Sequence, residues 1–269
     1  MKKRGQSLML KPRSGRPVRA PAPNKYQVQI PCHLRPALVS DLPAITEIYN
    51  HEILNGYKVM DIDPIKPMDF LNIYDKCVMM GMPFAVAVKG PFVPSKYTES
   101  EIIGFALVVA ATPGIAGSFN TKAFTGGNIQ VMVKPEYRRK KVGGALLDLI
   151  MSNATPLYST RGGYKFVNPN GDQRLFGNAG HMRQWYYLDM QVLVLSLGKK
   201  EETQRGEEYQ WLLDWLEMKF DMGLFYYEDK LFFDERGKRW LSRMSFRHIC
   251  RSRDGPLPTR QPLKYVGFI

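Results

Sequence analysis

Four consecutive cations, Arg138, Arg139, Lys140 and Lys141, stand directly before Val142 and the pair Gly143-Gly144. Side chains of one sign packed this closely focus a positive field suited to a polyphosphate. Glycine lets such a ligand approach the backbone. The flanks complete the device. Residues 128–133, Asn-Ile-Gln-Val-Met-Val, read as a strand that Pro135 closes, because proline cannot donate to a ladder. After the cations, Val142, Ala145, Leu146 and Leu149 recur at helical spacing. A helix starting there offers unpaired N–H groups and the positive end of its dipole to an anion. The other reading is a solvated basic loop before an ordinary surface helix. Neither G-x-x-x-x-G-K-[ST] nor G-x-G-x-x-G is present here, and no G-x-S-x-G supplies a nucleophile elbow. Cys32, Cys77 and Cys250 have neither metal-ligand spacing nor a paired framework. They read as small buried hydrophobes in a reducing compartment, and no metal site is expected.

The rest of the chain must hold this turn in place. Its 269 residues, 44% hydrophobic and 12% aromatic, suffice for one large domain with additions. The net charge of +13 points to an anionic partner, but residues 1–40 carry nine Lys or Arg and no acid. Residues 1–26 read as a disordered basic arm. Its lack of acids resembles a mitochondrial transit peptide, whereas Pro12, Pro17, Pro21 and Pro23 oppose the helix such a signal needs. The expected location is cytoplasmic, with the mitochondrion as the alternative. No apolar run is long enough to span a bilayer.

A first strand is expected within 27–37. A helix starts at Ser40-Asp41-Leu42-Pro43 with a side-chain cap, buries Leu42, Ile45, Ile48, Tyr49 and Ile53, and ends at Asn55-Gly56. A second helix covers 68–80. Strands follow at 84–88 and 102–111, the latter apolar enough for burial on both faces, and a glycine-bearing connector at 112–125. Residues 155–184 hold many glycines and no sustained period, too long for a plain loop. They form a lid or an ordered addition whose Tyr158, Tyr164, Arg174, Phe176, His181, Arg183 and Trp185 line a pocket or pack a flap. A strand at 186–197, a helix at 207–222 and two strands at 224–233 and 240–250 complete the domain, 27–255; residues 256–269 are a tail. In the last strand Trp240, Ser242, Met244, Phe246 and His248 share one face.

The run Val133-Lys134-Pro135-Glu136-Tyr137-Arg138-Arg139-Lys140-Lys141-Val142-Gly143-Gly144 resembles the R/Q-x-x-G-x-G/A motif of the GCN5-related N-acetyltransferase (GNAT) superfamily, with Lys141 in place of the first glycine. Leu34-Arg35-Pro36-Ala37, Asp41-Leu42-Pro43-Ala44-Ile45 and Ile48-Tyr49-Asn50-His51-Glu52 are similar to the opening of its phosphinothricin-acetyltransferase-like branch. The resemblance implies an α/β (α+β) acyl-CoA N-acyltransferase fold, with a central mixed, mostly antiparallel sheet flanked by helices; 155–184 is then an insertion. It implies acetyl-CoA as co-substrate. The backbone of Val131, Met132 and Val133 would run beside its pantetheine, and Arg138, Arg139, Lys140, Lys141, Val142, Gly143 and Gly144 would surround its pyrophosphate. The thioester would face the strand around Asn128.

Two positions depart from the branch. A glutamate usual in the strand is Asn128, and a tyrosine usual four residues before the glycine matching Gly223 is Lys219. The catalytic candidates are therefore Asn128, Tyr226 and Tyr187. His51 reads as a helix-surface histidine rather than a catalytic one. Three functions follow: an N-acetyltransferase acting on the amine of a small molecule or amino-acid-like acceptor; a non-catalytic acyl-CoA-binding sensor or interaction protein; and, from charge alone, a nucleic-acid binder, the one the motifs do not support. A homodimer is compatible with each, a membrane partner with none.

Overall fold

The computed structural model describes residues 24–93, 101–111, 126–155, 158–169, 171, 176, 185–196 and 202–250. Of the arm expected at 1–26, residues 1–23 lie outside them, whereas Asn24 donates to Arg161 O and Lys25 O accepts from Lys141; the connector at 112–125, the tail at 256–269 and Arg174, His181 and Arg183 also lie outside. Seven strands form one sheet in the order β1-β2-β3-β4-β5-β7-β6, with β1 Cys32–Pro36, β2 Phe84–Lys89, β3 Ile102–Ala110, β4 Gly126–Val133, β5 Tyr187–Leu195, β6 Gly223–Asp234 and β7 Arg239–Ile249. Every neighbouring pair is antiparallel except β4 with β5. The helices are α1 Leu42–Asn55, α2 Pro67–Met80, α3 Val142–Ala154 and α4 Glu202–Phe220.

β3 is buried along almost its whole length, as its apolar run requires. Phe105 packs on Phe70 of α2, which packs on Tyr49 of α1. Its neighbour Gly104 faces the other way, where a Cβ would meet Leu146 of α3 at 3.3 Å. Helices α1 and α2 therefore cover one face of the sheet, and α3 the other. α4 joins α3 there, with Phe220 next to Gly144.

The start of α1 differs from expectation. No side chain caps α1. Asp41 is instead drawn to Arg35 at 2.6 and 2.8 Å and to the Leu38 N–H, because the buried guanidinium needs a charge partner. α1 ends at Asn55-Gly56 as expected, with Gly56 in an extended conformation (φ −112°). Glycine is needed for space: a Cβ there would run into the Glu52 carboxylate.

The described part of 155–184 is ordered by one carboxylate. Asp148, buried on α3, accepts hydrogen bonds from the Tyr158, Thr160 and Tyr164 hydroxyls and from the Arg161 and Gly162 amides. The chain then lies along β1, where Leu34 donates to Lys165 O and Val167 donates to Leu34 O. Phe166 packs against the buried Phe176. Removing the carboxylate orphans several part-buried donors at once. Asp148→Ala is expected to destabilise the protein by about 3 kcal/mol in urea titration. Hydrogen exchange should place the largest loss of protection at 158–167.

Candidate active site

The site begins where β4 and β5 part. Their parallel pairing covers Gly126–Tyr187, Gly127–Leu188 and Asn128–Asp189, and then stops. β4 stays paired with β3 to Val133, and β5 with β7 to Leu195. Beyond Asn128 two strand edges therefore face a gap with no sheet partner. A cleft of about 1320 Å³ fills that gap, larger than the roughly 300–1,000 Å³ that holds a drug-sized ligand.

Residues 128–133 of β4 and 190–193 of β5 form its sides. From the α1 face come Ile48, Tyr49, Glu52, Lys58 and Asp61; from the other face come Gly143, Gly144, Arg139 and Lys141 with Trp211, Trp215 and Lys219 of α4. The cleft thus opens toward both faces of the sheet.

At its α3 end the helix starts uncapped: no side chain bonds its first turn. The first intrahelical bond reaching Lys141 O comes from Ala145, at 3.1 Å. The Val142, Gly143 and Gly144 amides thus find no acceptor within the helix. A Cβ on Gly143 would extend toward Val133 and Val131, at 3.5 and 3.9 Å. Glycine accordingly keeps the space between helix start and strand clear.

Lys141, in the place of the expected glycine, has a backbone conformation that favours glycine: φ 65°, left-handed. Its side chain turns to the N-terminal segment and donates to Lys25 O at 2.7 Å. Arg139 is also left-handed (φ 60°) and lines the cleft. Lys140 is exposed and is not among the lining residues, while its carbonyl accepts from Gln29. Arg138 lines the cleft but is held by Glu52 at 2.7 Å and by Val133 O at 3.0 Å.

The three catalytic candidates separate. Asn128 lines the cleft at the point where the strands part. Tyr187 stands outside the lining, beneath the Arg247 guanidinium at 4.0 Å and against Gly126, where a Cβ would meet its ring. Tyr226 lies on the edge strand β6, half exposed and outside the lining. His51 is exposed on α1. None of the described residues of 155–184 lines the cleft. In its place the structure brings in the Tyr49 hydroxyl, which donates to Asp61. Burial and that carboxylate push the Tyr49 pKa well above its ordinary value. It also brings in the stacked pair Trp211–Trp215, ring centroids 5.4 Å apart. Glu52 had a sequence signal: it lies four residues after Ile48, on the apolar stripe, where a carboxylate needs a cation.

No family model and no curated protein matches the chain. Solved structures do. One from Salmonella typhimurium, described as an acetyltransferase with its cofactor acetyl-CoA, matches with a TM-score of 0.55 at 15% identity, covering 84% of this chain and 97% of that one. A GNAT superfamily phosphinothricin acetyltransferase from Sinorhizobium meliloti, in complex with acetyl-CoA, gives 0.53 at 15% identity, over 87% and 98%. An N-acetyltransferase from Staphylococcus aureus gives 0.52 at 13%, over 82% and 99%. The chain has the fold of the GNAT acetyltransferases, as its sequence motifs led one to expect. No described helix is long and apolar enough to cross a membrane.

The left-handed Lys141 gives a test of the turn. A non-glycine residue there is strained by about 1–2 kcal/mol, offset in part by the greater freedom of unfolded glycine, about 0.4–1 kcal/mol. Lys141→Gly should therefore stabilise the fold by about 0.5 kcal/mol in denaturant titration.

Proposed function

We propose that the cleft binds acetyl-CoA and that the protein transfers the acetyl group to the amine of a small molecule or amino-acid-like acceptor. The observation that carries this reading is the parting of β4 and β5 after Asn128, with the uncapped start of α3 at the outer end of the gap. When bound, acetyl-CoA supplies an activated acyl thioester. The unpaired edge of β4 at Val131, Met132 and Val133 suits an extended chain carrying amides, in the manner of an added strand. The Val142, Gly143 and Gly144 amides, with Arg139, suit the pyrophosphate; Lys140 and Lys141 contribute field rather than contact.

Asn128 stands at the inner end of this track. Its side-chain amide donates and accepts hydrogen bonds, so it orients groups at the reacting centre, but it does not take up a proton near neutral pH. The incoming amine must shed one proton and the departing sulfur must gain one. Holding amine and thioester together in the cleft supplies the larger part of the acceleration. Water in the open cleft carries the protons. The acceptor enters from the α1 face, past Tyr49, Asp61 and Lys58. A second reading, an acyl-CoA sensor without turnover, draws on one feature: Tyr187 and Tyr226 lie outside the cleft and Asn128 is not a base.

Gly143→Asp separates binding at this place from binding elsewhere. The ordinary contacts a Cβ would make leave the fold tolerant, while a carboxylate there repels a pyrophosphate. Calorimetric titration should show acetyl-CoA binding weakened tenfold or more, about 1.4 kcal/mol. Unchanged affinity would remove the cofactor from this end of the cleft.

A further inference from the structure

Arg138 opens the basic turn, but its guanidinium is already committed. Nε donates to the carbonyl of Val133, the last residue of β4, at 3.0 Å, and an Nη donates to Glu52 Oε2 at 2.7 Å. The Glu52 side chain is only 7% exposed, against 49% for Arg138. Its other oxygen accepts the backbone N–H groups of Tyr57 and Lys58, at 3.2 and 3.1 Å. Lys58 then donates from Nζ to the carbonyl of Leu193, on β5, at 3.0 Å. The contacts run without a break from the outer end of β4, through Arg138 and Glu52, to β5. They span the two strands where those strands no longer bond each other. Arg236, from the β6–β7 turn, donates to the Ile53 and Gly56 carbonyls and holds the same segment from the far side.

Moving Arg138 onto a phosphate would break this chain and leave Glu52 buried without its cation, a costly state. Given the acyl-CoA reading of the cleft, on which this rests, we propose that Arg138, Glu52 and Lys58 are positioning residues. Together they set the width of the gap between β4 and β5 that receives the pantetheine, and Arg138 is not a phosphate ligand. The phosphates fall to the α3 amides and Arg139.

The two roles for Arg138 predict opposite signs. Glu52→Gln keeps the shape and an oxygen for the Tyr57 and Lys58 amides, but removes the charge that holds Arg138. The probes are acetyl-CoA and S-acetylpantetheine, which lacks the nucleotide and its phosphates, each titrated by calorimetry or ligand-observed NMR. If the bridge sets the gap, Glu52→Gln weakens both ligands by a similar factor, fivefold or more. If Arg138 is a phosphate ligand restrained by Glu52, the variant binds acetyl-CoA more tightly and S-acetylpantetheine unchanged, which overturns the proposal, as does no change in either. Should Glu52→Gln lose its cooperative melt, Lys58→Met decides: equal weakening of both ligands supports the bridge, and unchanged affinities overturn it. Wild-type protein that binds neither ligand would sink the acyl-CoA reading itself, and the bridge with it. Wild-type binding with a contrary variant result would sink the bridge alone.

Discussion

The structure depends on a hydrogen-bonded ladder that stops early. β4 and β5 run parallel for three residue pairs and then diverge, although both continue as well-paired strands on their outer sides. A buried strand edge without partners is costly, so divergence in the middle of a sheet needs something to fill or solvate the gap. Here the gap is a cleft that reaches both faces and has the positive end of a helix at its mouth. The outer strands and the helices on the two faces flank those two edges, and the Arg138–Glu52 ion pair lies at the opening.

Much of this was legible in the sequence, for identifiable reasons. The strand, basic turn and helix around 126–154 combine a change of hydrophobic period with punctuation by Pro135 and the glycines, and such signals are local. The same holds for α1, α2 and the two C-terminal strands. The left-handed conformation at Lys141 was not legible, because lysine does not advertise a positive φ. The cap of α1 misled for a related reason. Asp41 is the right residue for a cap, but a buried guanidinium six residues earlier takes its carboxylate.

Side chains brought together by topology were the hardest to foresee. The Asp148 cluster joins α3 to residues 158–164, and what fixes it is a buried carboxylate in need of donors, not any period in the glycine-rich segment. Glu52 and Arg138 are 86 positions apart and meet only because α1 crosses the end of β4. Tyr187 and Tyr226 lie in sequence near the expected centre, yet neither lines the cleft. Strand register turns one under Arg247 and leaves the other on an edge strand. The basic turn itself is divided: Arg138 to an ion pair, Lys141 to a backbone carbonyl, Arg139 to the cleft and Lys140 to solvent. Net charge over those four residues therefore overstates what is aimed at a ligand.

Acyl transfer in this cleft is tested most directly by release of free CoA thiol from acetyl-CoA by the 269-residue protein. It would be followed with a thiol reagent against a panel of small amines and amino acids. Thiol release that depends on one class of acceptor, with a stoichiometric acetylated product by mass spectrometry, is the expected result. Release no faster than spontaneous hydrolysis across the panel, from protein that binds acetyl-CoA, would contradict it and leave the cleft as a sensor's.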